Sequence, residues 1–395
     1  MSDVTLQWLL PDGRGVGRAP DGATVRVDGG VPGDVVCTDQ DPPRLVRPSP
    51  DRRTPPCPWS KRCGGCDLDV LTPGSRHRAL AATVAHAFRH PHTPTVVPSP
   101  RAEGHRARIK LAIEGTAVGY RPRRSHALVA VQRCRIARPE VQDAHQRLID
   151  WLQRVHPRGL GAVEIRSDGT RVAYAFTSSG SVPRATREAL AQLEVVALDG
   201  RRIAGDPVLE LRIEDQPLRV RPRSFYQVNL ELNTLLVAHV RQALVDRGAE
   251  AVLDLYAGIG NLSVPLAAAG LPVVAVEAPG PGGEDLRDNA AAARARGLSI
   301  EAITQRVERL DPSRIPFDAV VLDPPRAGAR GVLPRITRNR PRIVAYISCH
   351  APSAARDLRE IPDYELVSLT TFDLFVDTRH LEAVAILERR SRPRR

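Results

Sequence analysis

The first 36 residues alternate short apolar runs with glycine turns, the runs falling at 4–10, 13–18, 24–27 and 31–36. Strands this short, broken by turn residues, predict a small β-barrel. Residues 39–56 are rich in Pro, Asp and Arg and read as a linker. Residues 118–131 and 163–175 are strand-like, and the apolar spacing over 141–155 predicts a helix between them. This is an α+β middle region. Further strands are expected within 206–223, and helical periodicity follows over 229–245, which sets a boundary near Arg221. The pattern then changes. Short β-prone runs at 251–255, 272–276, 298–303, 319–322 and 343–347 are separated by Ala-rich or Arg-rich helical stretches. Such alternation implies an α/β fold with a parallel, doubly wound sheet. A last strand is expected over 383–387, and the Arg-rich end, 389–395, reads as an arm.

A chain of 395 residues has room for two or three domains. With 42% hydrophobic and 26% charged residues, extensive disorder is excluded. No apolar run reaches the roughly 18–20 residues that cross a bilayer, and Met1-Ser2-Asp3 lacks the basic-then-apolar start of a signal peptide. A cytoplasmic protein with no membrane partner is expected. The net charge of +12 favours a polyanionic partner, nucleic acid first, because basic side chains displace counterions from phosphates. Since Lys61 and Lys110 are the only lysines, Arg fills nearly every basic position, which a GC-rich coding bias would also produce.

Asp254-Leu255-Tyr256-Ala257-Gly258-Ile259-Gly260-Asn261 follows the first strand of the C-terminal region and precedes a helix. Its glycines let backbone approach a ligand at a helix N-terminus. The next strand ends at Glu277, where a carboxylate can accept hydrogen bonds from ribose hydroxyls. The turn lacks the third glycine of a dinucleotide fingerprint, so S-adenosylmethionine fits better than NAD.

The fourth strand ends at Asp323-Pro324-Pro325-Arg326, a rigid turn at the sheet edge where open α/β folds place their sites. Amine methyltransferases tend to carry an aromatic residue after the two prolines, and Arg326 argues against that chemistry. The fifth strand ends at Cys349, and Glu382 precedes the last strand. A thiol and a carboxylate beside a sulfonium suit methylation of uracil C5. That carbon is too weak a nucleophile until a thiolate adds to C6, and a base must later remove the C5 proton. Cys349 and Glu382 can supply these two functions, with some lowering of the thiol pKa expected.

Cys57, Cys63 and Cys66 are closely spaced and Cys134 is remote. Iron–sulfur clusters use such triplets with one distant ligand, whereas structural zinc prefers two close pairs, so a [4Fe–4S] cluster is favoured over zinc.

Together these residues resemble the S-adenosylmethionine-dependent RNA uracil-C5 methyltransferases over nearly the whole chain. Gly13-Arg14-Gly15-Val16-Gly17-Arg18 through Val31-Pro32-Gly33-Asp34-Val35 is similar to that family's TRAM domain, an oligonucleotide-binding-type barrel, here shortened because no basic strand is seen after Val36. Cys57, Cys63, Cys66 and Cys134 match its cluster ligands. Ser224-Phe225-Tyr226-Gln227-Val228-Asn229 is similar to its cofactor-contacting segment, with Gln227 at the glutamine position. The resemblance makes Cys349 the nucleophile, Glu382 the base and Asp323 a holder of the target base. Three parts follow: a TRAM-like barrel over 1–48, a cluster-bearing central domain over 49–222, and a class I, Rossmann-like methyltransferase domain over 223–395. The cofactor would meet Gln227, Tyr256, Gly258, Gly260, Glu277 and Asp323. The expected protein is a monomer that makes 5-methyluridine in ribosomal or transfer RNA; the alternative is a non-catalytic RNA-binding or folding factor that keeps the fold. The chain departs from the family at Gly104-His105-Arg106-Ala107-Arg108, at Gln305-Arg306 in place of Gly-Asp, and at Val376-Asp377 in place of Pro-Gln or Pro-His.

Overall fold

The computed structural model describes residues 3–60, 62–122 and 125–390. The last five residues of the expected arm lie outside them. Strands β1 (Asp3–Leu9), β2 (Gly15–Arg18), β3 (Thr24–Val27), β4 (Val35–Cys37) and β5 (Arg44–Arg47) form one antiparallel sheet in the order β3-β2-β1-β4-β5. Val4, Leu6 and Val36 pack together on one face. Gly17 lets β2 lie close to β1, since a Cβ there would stand 2.5 Å from the Thr5 carbonyl oxygen. The turn before β4 is fastened by buried Asp34, which accepts from the Val31 and Ser49 amides at 2.9 Å each and from Arg52 Nε at 2.8 Å.

β5 corrects the reading of 39–56 as a linker and of the barrel as lacking a basic strand. Arg44-Leu45-Val46-Arg47 pairs with β4, and all four residues are exposed. A strand with no buried face carries no apolar alternation to read.

Next come α1 (Pro73–Phe88), β6 (Thr95–Val97), β7 (Arg108–Glu114), β8 (Ala117–Gly119), α2 (Pro139–Val155), β9 (Leu160–Ser167), β10 (Val172–Ser178), α3 (Arg184–Leu190), β11 (Val196–Leu198) and β12 (Arg201–Ala204). A six-stranded sheet runs β12-β11-β10-β9-β7-β8, and α2 lays Val141, Ala144, Leu148, Trp151 and Leu152 against it. The strand expected over 118–131 is shorter. β8 covers only Ala117–Gly119, followed by an isolated bridge between Tyr120 and Val129.

The hairpin of β13 (Leu209–Ile213) and β14 (Gln216–Val220) leads to α4 (Leu230–Asp246), capped by Asn229, whose side chain accepts from the Leu232 amide. Then follow β15 (Val252–Leu255), α5 (Ser263–Ala268), β16 (Val273–Glu277), α6 (Pro281–Ala295), β17 (Ile300–Thr304), β18 (Ala319–Leu322), α7 (Val332–Ile336), β19 (Ile343–Ser348), α8 (Ala351–Leu358), β20 (Tyr364–Phe372) and β21 (Glu382–Arg389). Their sheet has the order β17-β16-β15-β18-β19-β21-β20-β6, parallel from β17 to β19. β15, β18 and β19 are buried along their whole length, so they read as unbroken apolar runs. β21 is antiparallel to both neighbours, while β6, from the first quarter of the chain, closes the edge parallel to β20.

Candidate active site

Strand order reverses between β15 and β18, which opens a crevice at their carboxyl ends. β15 runs straight into the glycine turn. Tyr256, Gly258 and Gly260 there have positive φ of 59°, 58° and 92°, and a Cβ on Gly258 would meet nothing within 4 Å. The turn therefore leaves an open cradle. Glu277 leans over it from the end of β16, accepting from the Gly258 amide at 2.8 Å and the Ala278 amide at 2.9 Å. Each carboxylate oxygen keeps a lone pair for a ligand. Beneath the turn, buried Asp254 accepts from Ser263 Oγ at 2.5 Å, and burial pushes its carboxyl up to about 7, with Asp323 and Glu277 adding to the rise. Tyr256 donates its hydroxyl to Glu308 at 3.0 Å.

Gln227 comes from another direction. Its segment is pinned to the middle sheet by Arg166, whose buried guanidinium donates to the Arg221 carbonyl at 3.0 Å and the Ser224 carbonyl at 2.6 Å and stacks 5.1 Å from the Tyr226 ring. Tyr226 in turn donates to the Ser167 carbonyl at 2.9 Å. Held this way, Gln227 Oε1 is buried and finds no hydrogen-bond partner among the described residues. A buried acceptor without a donor, an open glycine cradle and the Glu277 carboxylate over it fit a cationic nucleoside such as S-adenosylmethionine. Gln305, at the altered position, folds its side-chain amide back onto the Arg309 carbonyl at 2.7 Å.

The catalytic candidates sit at adjacent strand ends. In the β19–β21 ladder Ser348 pairs with Ala383, so Cys349 and Glu382 occupy the next step of the same register. Asp323 follows Leu322, whose partner in β19 is Tyr346. Burial pushes the Cys349 thiol up to about 12, helped by Glu382 and Asp323 and opposed by Arg326. This corrects the expected lowering: the thiol faces two acids and is largely desolvated. Glu382 is itself buried and raised well above the usual carboxylate range by burial and then by Asp323, with Arg326 opposing, and burial raises Asp323 too. Arg326 also lies 3.1 Å from His380 Nε2.

The four candidate cluster cysteines are each half-buried and come from the loop before α1 and the turn before α2. Cys63 interacts with Cys57 and Cys134, Cys66 with Cys134, and the Gly65 amide donates to Cys63. They share one region. Among the described residues, however, no three His, Cys, Asp or Glu side chains converge as the ligands of a metal ion would. Burial, with the neighbouring thiols adding to it, holds Cys63 and Cys66 above the ordinary thiol range.

A 23S rRNA (uracil(1939)-C(5))-methyltransferase RlmD from Pectobacterium atrosepticum is 32% identical over 422 residues, covering 97% of this chain and 92% of that protein. The chain belongs to the RNA uracil-C5 methyltransferase family. The like-named protein of Pseudomonas putida is 29% identical over 428 residues, 98% of this chain and 93% of its own length. The family model for tRNA (uracil-5-)-methyltransferase matches residues 206–390, which hold both the glycine turn and the strand ends that carry Asp323, Cys349 and Glu382. A crystal structure of Pyrococcus abyssi tRNA (uracil-54, C5)-methyltransferase in complex with S-adenosyl-L-homocysteine superposes with a TM-score of 0.78 at 24% identity, covering 97% of this chain and 99% of that one. The methyltransferase thus has the mixed α/β, class I fold.

Two parts of this methyltransferase's site escape a reading of spacing alone. Asp254 opens the glycine run, but its burial under the turn comes only from three-dimensional packing. Arg326 marks a departure from amine methyltransferases in the sequence; in the fold it is the cation that faces both Cys349 and Glu382.

Proposed function

We propose that this chain methylates C5 of a uridine in ribosomal RNA, with Cys349 as nucleophile, Glu382 as base and Asp323 holding the target base. When bound, S-adenosylmethionine supplies an electrophilic methyl group on a sulfonium. Cys349 adds as thiolate to C6 of a uracil extruded from its stack, and the ring carries the resulting electron pair to C5, which takes the methyl group. Glu382 then accepts the C5 proton, the C5–C6 double bond reforms and the thiolate leaves. A carboxylate with a raised pKa is the better proton acceptor for this last step. Gln227, Tyr256, Gly258, Gly260, Glu277 and Asp323 hold the cofactor. The single observation behind the reading is the mutual electrostatic contact of Cys349, Glu382 and Asp323 beside the glycine cradle. Ribosomal RNA is preferred over transfer RNA because the relatives named for 23S rRNA are 29–32% identical over 97–98% of this chain, whereas the transfer RNA enzyme that superposes on it is 24% identical.

The same reading gives Cys57, Cys63, Cys66 and Cys134 to a [4Fe–4S] cluster, on their spacing and shared region. Mapping 5-methyluridine in ribosomal and transfer RNA from cells with and without the gene tests the assignment. One ribosomal 5-methyluridine should vanish without the gene. Loss of a transfer RNA site instead would redirect the target, and no loss at all would favour the non-catalytic factor.

A further inference from the structure

The loop that joins β20 to β21 ends at Glu382, and it is tied down almost entirely by residues from the far end of the chain. At its start, buried Asp373 pairs with Arg76, also buried, and accepts from His77 at 2.8 Å; Arg76 reaches on to the Thr378 carbonyl at 3.2 Å. At its centre, the Asp377 side chain, 3% exposed, accepts from Arg53 on one oxygen and from Arg135 on the other, each at 2.7 Å. The Asp377 carbonyl accepts from the Leu68 amide at 2.9 Å. Two residues on, Asp67 pairs with the Arg379 guanidinium and accepts from its amide at 2.9 Å. His380 follows, against Arg326, and then the base.

We infer that Asp377 is a positioning residue for Glu382: by holding Arg53 and Arg135 it fixes the loop that presents the base to the thiol. Without the charge at 377, the part-buried Arg53 and Arg135 lose the carboxylate they share and are left with the Asp69 carbonyl and the exposed Glu103. The loop would then repack around them, moving the start of β21. Asp377 stands at φ 63°, so its backbone as well as its charge is set for this place. The inference rests on the reading of Glu382 as the base, and a base displaced from C5 has a distinct consequence. Addition and methyl transfer survive, but elimination stalls.

The test compares Asp377→Asn, Arg53→Gln and Glu382→Gln with the unchanged full chain, on RNA carrying the target uridine. Asn keeps the shape and tolerates the left-handed backbone, so Asp377→Asn removes the charge and turns one of the two acceptor oxygens into an amide donor facing a guanidinium. A misplaced reacting group costs up to about a hundredfold, so kcat of Asp377→Asn should fall by at least about tenfold while KM for S-adenosylmethionine stays within about twofold. It should also accumulate a methylated RNA adduct through Cys349, visible as a slow band on a denaturing gel. Arg53→Gln should show the same trapped adduct to a lesser degree, and it decides the matter if Asp377→Asn does not fold. Wild-type turnover without adduct in both variants would overturn the inference, as would parallel loss of cofactor binding and methyl transfer. Absence of adduct from Glu382→Gln would remove the base assignment itself, and the inference with it.

Discussion

The Glu382 carboxylate holds back ionisation of the Cys349 thiol from the next step of the β19–β21 ladder. The proposed nucleophile and the proposed base are therefore electrostatically opposed in the free enzyme: each charges more readily while the other is neutral. Arg326 acts against this on both groups.

That opposition sets the pH dependence. With its pKa raised to about 12, Cys349 is protonated at neutral pH, and its reactive fraction grows up to tenfold per pH unit below that value. Glu382, also raised, must likewise lose its proton before it can accept one. Both requirements have the same sign, so kcat/KM for RNA should climb from about pH 6.5 to about pH 9 without a plateau. A flat or falling profile over that range would mean that the acids do not hold the thiol protonated in the enzyme that meets RNA.

Cys349→Ala should lose turnover by at least about a thousandfold, as removal of a nucleophile does, while equilibrium binding of S-adenosylmethionine changes by no more than about twofold. Cys349 stands at the end of β19, whereas the cofactor cradle lies at β15 and β16. Near-normal methylation by this variant would dismiss the covalent route.

Purified without oxygen, the protein should be brown and hold about four irons, and Cys134→Ser should bleach it. Iron and sulfide analysis with the visible spectrum checks this. A colourless protein carrying one equivalent of zinc would overturn the cluster assignment.

The exposed basic strand β5 makes the N-terminal sheet a candidate RNA surface. Replacing Arg44 and Arg47 together with Gln should weaken RNA binding and lower the magnitude of the log K against log salt slope by about 1.4, if each arginine neutralises one phosphate of a single strand. Unchanged affinity and slope would mean that RNA passes elsewhere.

The parts of the molecule legible in the sequence are those where burial is uniform. β15, β18 and β19 are covered on both faces, so their apolar runs mark the sheet and their ends mark Asp323 and Cys349. Where burial is absent or partial the signal fades. β5 is exposed throughout, β6 has three residues among prolines, and the largely buried face of α1 includes Ser75 and Arg76 beside Leu80 and Val84. Long-range ion pairs leave no local pattern at all. Asp377, next to Thr378 in a divergent stretch, looks like a spare acid in the sequence, and only the fold reveals Arg53 and Arg135 at its two oxygens.

β6 ties the two ends of the chain together in a way that matters during synthesis. Thr95, Val96 and Val97 leave the ribosome long before Thr370, Thr371 and Phe372, their partners across the ladder. The catalytic sheet therefore finishes assembling only when nearly the whole polypeptide has emerged, and its N-terminal third must wait for that partner. A catalytic half produced alone would present β20 as an open edge, a ready template for pairing with another copy and the start of aggregation.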